Sequence, residues 1–223
     1  MPSLKVTDLI NSVASTLQDT SFVRWTAQEL LNYLNEAQRQ IVLHRPDARV
    51  VNASFTCVAG PKQSLPSGAT RLVGVTRNVN GPAITKIKRV ILDTNLPNWY
   101  SQSLGSDGWV KHYIYDQLDP KTFYLFPKPH ANHQIEITYS EPPPVITVAN
   151  FATDTQVIGL DDIYANAIMD YMAYRAYAKD NEYGNVNRAG VFMQAFQNGI
   201  GVKTQGDGVV AQNMNQNDPG VAQ

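Results

Sequence analysis

Two histidines stand three residues apart in "HANH", His130 and His133, and there residue type and spacing first offer chemistry. A pair of imidazoles can open a metal site, but a structural zinc centre closes on four ligands, usually Cys or His in two spaced pairs. Cys57 and His112 are the remaining nearby donors of suitable type, and no spacing recruits them. The pair is therefore expected in a strand connection, without a metal. Asp170 is the second candidate, a carboxylate set among Met169, Tyr171 and Met172. Such a group can act as an acid or base. A lone buried charge is costly, however, so the expected role is half of an internal ion pair with Arg39 or Arg175. His130, His133 and Asp170 together make the only metal-dependent enzyme reading, and no further carboxylate or histidine clusters with them by spacing.

Aromatic and basic residues offer a different chemistry. Tyr164, Tyr171, Tyr174 and Tyr177 could stack bases, but an aromatic stripe at helical spacing belongs to a core, with hydroxyls at its edge. Stacking platforms interleave aromatics with many basic groups, and this stretch brings only Arg175 and Lys179. "KIKR" at 86–89 is the one basic run, short for phosphate binding. Asp93, Asp107, Asp116 and Asp119 sit where turns favour aspartate. There is no glycine-rich phosphate loop, nucleophile elbow or spaced Ser/His/Asp set. The chain reads as a non-enzyme without a cofactor.

The bulk numbers agree with an ordinary globular protein. The 223 residues are 43% hydrophobic and 17% charged, with a net charge of −1, so no overall basic field draws in nucleic acid. Cys57 is the only cysteine, which excludes an internal disulfide. "MPSLKVTDLI" lacks the apolar run of a signal peptide, and no window offers the ~20 apolar residues of a membrane span. A reducing, aqueous setting is expected.

The elements that must position these residues fall into three regions. In "SLKVTDLINSVASTLQD", Val6, Ile10, Val13 and Leu17 recur at helical spacing. A second helix follows in "RWTAQELLNYLNEAQRQIVLHRPDA", opened by a Thr26/Glu29 capping box and stopped by Pro46. From about Arg49 the period changes to two. "VNASFTCVAG", "RLVGVTRNVN", "AITKIK" and "HQIEITYS" read as strands, and "HYIYDQLDPKTFYLFPKP" as a β-hairpin around Asp119-Pro120. Pro142–Pro144 then impose an extended exit.

Helix returns at "DDIYANAIMDYMAYRAYAKD", apolar nearly all round and so expected at the centre, and a further helix is expected over Val186–Ile200. After Lys203 the chain turns rich in Gly, Asn and Gln and reads as a flexible tail holding one apolar knot: Val209, Val210, Ala211 and Met214. The expected fold class is α+β. Residues 1–47 and 158–203 form a helical bundle, 48–157 a β-rich insertion, and 204–223 an extended C-terminal tail.

Four of these pieces, in this order, resemble one family. "LLNYLNEAQRQIVLHRPDA", "LDTNLPNW", "HYIYDQLDPKTFYLFPKP" and "DIYANAIMDYMAYRAYAKDNEYGNVNRA" are similar to segments of bacteriophage head-to-tail adaptor proteins. These are the tail-tubular-A-like connectors of short-tailed phages, and the likeness runs from about Thr7 to Lys203. It implies a structural virion protein at the head-tail junction, in a dodecameric ring under the portal protein. Tail or nozzle proteins attach below, and genomic DNA passes through the channel without sequence-specific binding; no membrane is involved. It also implies that the C-terminal segment reaches along the portal, which would give Val209, Val210, Ala211 and Met214 a docking role.

Ring contacts are head-to-tail, so each subunit uses two different surfaces. The hairpin, with Tyr113, Tyr115, Phe123 and Leu125 or their alternates facing out, is the expected contact to a neighbour or to the tail, register deciding which set faces out. The alternative reading is a phage nucleic-acid-binding protein using 86–89 and the tyrosines.

Overall fold

The computed structural model describes residues 2–105, 108–179 and 185–216, with side chains described as far as Gly201. The chain divides into two compact units, residues 1–48 with 143–223, and residues 49–142.

The first unit is helical. α1 (Val6–Thr16) buries Val6, Leu9, Ile10, Val13 and Ala14, the stripe that its spacing announces. The link to α2 (Ala27–His44) is built on Asp19, whose carboxylate accepts the backbone N–H groups of Val23, Arg24 and Trp25 at 2.8–3.0 Å. Burial pushes this carboxyl up. The three amide hydrogen bonds and the nearby Arg24 charge outweigh that and hold it below its ordinary value.

α2 starts as the capping box requires on one side, with Thr26 Oγ1 accepting from Glu29 N–H at 3.2 Å. The Glu29 carboxylate is used elsewhere, taking the Tyr33 hydroxyl at 2.8 Å and Lys179 Nζ at 2.8 Å. α4 (Ala165–Ala178) packs on α1, α2 and α5 (Val186–Gln216), which makes it the central helix. Trp25 Nε1 donates to the Ala176 carbonyl, tying the start of α2 to the end of α4.

The second unit holds two sheets. β1 (Val50–Thr56) and β3 (Arg71–Asn78) flank β7 (Gln134–Ser140), both antiparallel to it. In β1 the odd-numbered residues turn inward and the even-numbered outward, as the sequence alternates. The other sheet runs β2 (Lys62–Ser64), β6 (Thr122–Phe126), β5 (His112–Tyr115) and β4 (Thr85–Lys86). α3 (Arg89–Asn95) follows β4 directly.

Asn78 fastens this unit internally. Its fully buried amide donates to the carbonyls of Pro82 and Val110 and accepts from Val110 N–H and the His133 ring, all at 2.8–3.1 Å. Gly81 closes the adjoining turn because a Cβ there would lie 2.6 Å from the Trp109 ring.

Three expectations change. The extended segment after Pro142 joins the helical unit rather than the β-rich one, because α2 holds it: Asn35 binds Ile146 and Gln38 binds Gly159 N–H. Val157 also bridges to Lys5. Second, α5 does not end near Ile200 and give way to an extended tail at 204; its backbone stays helical to Gln216. Glycine costs an exposed helix interior only ~1 kcal/mol, so Gly199, Gly201, Gly206 and Gly208 weaken the helix without stopping it. The knot of Val209, Val210, Ala211 and Met214 lies on this stretch, outside the described side chains, and 217–223 lie outside the described residues. Third, "KIKR" runs into α3 instead of continuing a strand.

Candidate interaction surface

The hairpin forms as its alternation predicts, with His112 opposite Phe126, Tyr113 opposite Leu125, Ile114 opposite Tyr124 and Tyr115 opposite Phe123. It does not offer the expected face. Phe123 and Leu125 are fully buried and Tyr113 nearly so, in one core cluster with Ile135 and Ile137 of β7, while Tyr115 packs at its edge. The alternates are covered too, since Ile114 and Phe126 join Leu92 of α3 and Trp99 in a second cluster with Tyr124 beside it. Flanked by β2 and β4 and covered on both faces, the hairpin is the middle of a sheet, not a projecting arm. Its alternation marks burial: Tyr113, Phe123 and Leu125 are core, and Tyr115 is half-buried at its edge.

Exposure returns at the tip. Leu118, in the turn after β5, is 93% exposed. It lines an open groove of about 880 Å³ together with Lys86, Lys88, Arg89, Asp116 and Asp119. Val90, Ile91, Leu96 and Tyr100 are exposed on the same segment as α3. The basic run therefore borders a surface rich in uncovered apolar residues, which suits contact with another polypeptide. Sequence reading found the cations but not α3, because seven residues between Lys88 and Leu96 are too few for helical periodicity to register.

In the helical unit the expected ion pair is not made. Arg175 turns to Glu36 on α2, Nη1 to Oε1 2.7 Å, and Arg39 is exposed. Asp170 is half-buried on α4 with no ion pair among the described residues, in a shallow cavity of about 340 Å³ beside Val13, Asn166 and Phe192. Burial pushes its carboxyl up. Arg175 prefers Glu36 because that partner lies across the α2–α4 seam, where the Tyr33 ring also stacks under the guanidinium at 5.5 Å. The tyrosines are core: Tyr171 meets Phe196 edge-on at 5.1 Å and Tyr177 stacks on Phe192 at 5.7 Å.

His133 is committed to Asn78 and lies edge-on to Trp109 at 6.3 Å, while His130 is exposed. Desolvation and the nearby His130 charge lower the His133 pKa, so its ring favours the neutral form. Among the described residues no three His, Cys, Asp or Glu side chains gather as a metal set. Cys57 is buried and its thiol pushed up to about 12, far from the thiolate that reactivity needs. No helix among the described residues is long and apolar enough to cross a membrane.

Comparison with known proteins adds one finding. No curated protein matches the chain. The model of one family, described as SU10 adaptor protein, matches residues 4–218, nearly the whole length and both units. That agrees with the head-to-tail adaptor resemblance carried by the four sequence segments, and with a structural rather than enzymatic part in a phage virion. With helices at both ends, a strand-rich middle and a family match running through all of it, the chain belongs to the SU10 adaptor protein family.

Proposed function

We propose that the protein is a head-to-tail connector of the tail-tubular-A-like kind, found in short-tailed phages. It assembles as a dodecameric ring between the portal and the tail or nozzle proteins, and its channel passes genomic DNA. The observation that carries the reading is the family match over residues 4–218, which spans both units and reaches into the last helix. The long α5 supports a portal contact, since it runs 31 residues to Gln216 and carries Val209, Val210, Ala211 and Met214. The exposed apolar and basic surface at 86–100 and Leu118 replaces the buried hairpin as the proposed second contact.

Quantitative mass spectrometry of purified virions tests this. Copy numbers equal to those of the portal are expected, and absence from the particle overturns the reading. The competing DNA-binding reading predicts salt-dependent retention of the free protein on duplex DNA. It is disfavoured by the overall charge of −1 and by the shortness of the basic run at 86–89.

A further inference from the structure

The sheet that contains the hairpin ends unevenly, and the shortfall leaves a notch. In β6 the Leu125 N–H donates to the Pro61 carbonyl, and Phe123 pairs with Gln63, so these residues turn their backbone groups toward β2. In β5 the Tyr113 carbonyl accepts from Ile87 N–H at 3.0 Å, so Tyr113 faces β4. Antiparallel pairs alternate between bonded and open. Tyr115, opposite Phe123, therefore points its N–H and C=O away from β6, as Tyr113 does. A parallel ladder would next join Tyr115 to Ile87, but β4 ends at Lys86 and the chain turns into α3 at Arg89. No backbone hydrogen bond links Tyr115 to that segment.

The open edge borders the groove described above. Lys86 and Lys88 have no carboxylate partner among the described residues, and Arg89 makes only an exposed pair with Asp93 at 3.4 Å. Asp116 is occupied by its own turn, accepting Leu118 N–H at 2.9 Å. Leu118 stands uncovered at the rim. Lys86 Nζ lies 6.0 Å from the centre of the Tyr115 ring. Unpaired strand backbone, two lysines without a carboxylate and one bare apolar side chain are what an extended acidic peptide would satisfy together.

We propose that this groove is a strand-addition site. It takes an extended, acidic segment of another polypeptide, whose backbone pairs with Tyr115, whose carboxylates face Lys86 and Lys88, and whose apolar residue covers Leu118. This chain does not supply the strand from its own described acidic extended segments: Val157, after Asp154, is already bridged to Lys5, and β7, with Glu136, lies between β1 and β3. The inference rests on the second unit alone, and holds or fails independently of the ring.

A random dodecapeptide library selected on the immobilised full chain tests it, with a K86E/K88E/R89E variant as counter-target and circular dichroism to confirm that the variant folds. Selected peptides should alternate carboxylates with branched apolar residues and bind the variant at least tenfold more weakly. The leading peptide, remade with N-methyl groups at alternate amides, should lose at least tenfold again, because strand pairing needs those N–H groups. Basic selected sequences, equal binding to the variant, undiminished binding of the N-methylated peptide, or no enrichment above background would each overturn the proposal.

Discussion

The side-chain amide of Asn35 closes on the backbone of Ile146 at both ends, Nδ2 donating to its carbonyl and Oδ1 accepting from its N–H, each at 2.9 Å. One helical side chain thus imitates a neighbouring strand, and satisfies two buried backbone groups where no strand runs.

Replacing Asn35 with Leu leaves the Ile146 N–H and C=O buried without partners. An unmet buried group costs about 1–3 kcal/mol, so the pair predicts a loss of about 2–6 kcal/mol in urea unfolding. Hydrogen exchange gives the sharper readout. The Ile146 amide should lose its protection while amides in the interior of α4 keep theirs.

Leu125→Ala should destabilise the strand-rich unit by about 2–5 kcal/mol, since the side chain is fully buried and leaves a cavity. Leu118→Glu, at the exposed tip, should change stability by less than about 0.5 kcal/mol. Urea titrations followed by fluorescence of Trp99 and Trp109 compare the two. Equal, small effects would restore the hairpin as a free surface.

Asp19→Ala removes the acceptor for three backbone amides and should cost about 2–4 kcal/mol at neutral pH. The sign of the pH dependence follows from a folded carboxyl held below its ordinary value of 3.8. Its contribution is present above that value and lost as pH falls through the lowered one. The gap between wild type and variant should therefore narrow only in strong acid.

Asp170 behaves oppositely. Burial raises its carboxyl above 3.8, so the folded state holds the proton more tightly than the unfolded chain. The group is least costly below 3.8, and stability is lost as pH rises through the raised value. Asp170→Asn should raise Tm by about 1–3 °C at pH 7 and leave it unchanged near pH 3.

Much of this was legible from local pattern. The stripe of α1, the Thr26 cap, the alternation of β1 and the hairpin around Asp119-Pro120 are short-range facts, and the structure keeps them. What the hairpin faces was not legible, because two covers for two faces come from α3, Trp99 and β7, distant or poorly periodic in sequence. The same limit applies to Asn35, Gln38 and Asn78. A buried amide that grips a backbone 111 or 32 residues away looks like any surface Asn until the fold brings that backbone to it. Glu29 and Glu36 were invisible as partners of Lys179 and Arg175 for that reason too. Asp170 misled because charge inside an apolar run suggests full burial, whereas the shallow cavity keeps it half-open.

The helical unit is interrupted by residues 49–142, and this has a consequence for synthesis. A ribosome delivers α1 and α2 first, with Leu30, Leu31 and Leu34 bare, and their main packing partner α4 emerges more than a hundred residues later. In the interval the strand-rich unit is complete and free to fold by itself. The nascent chain therefore carries a finished domain between two unfinished halves. The early helices, sticky until α4 arrives, are where a chaperone would be needed most.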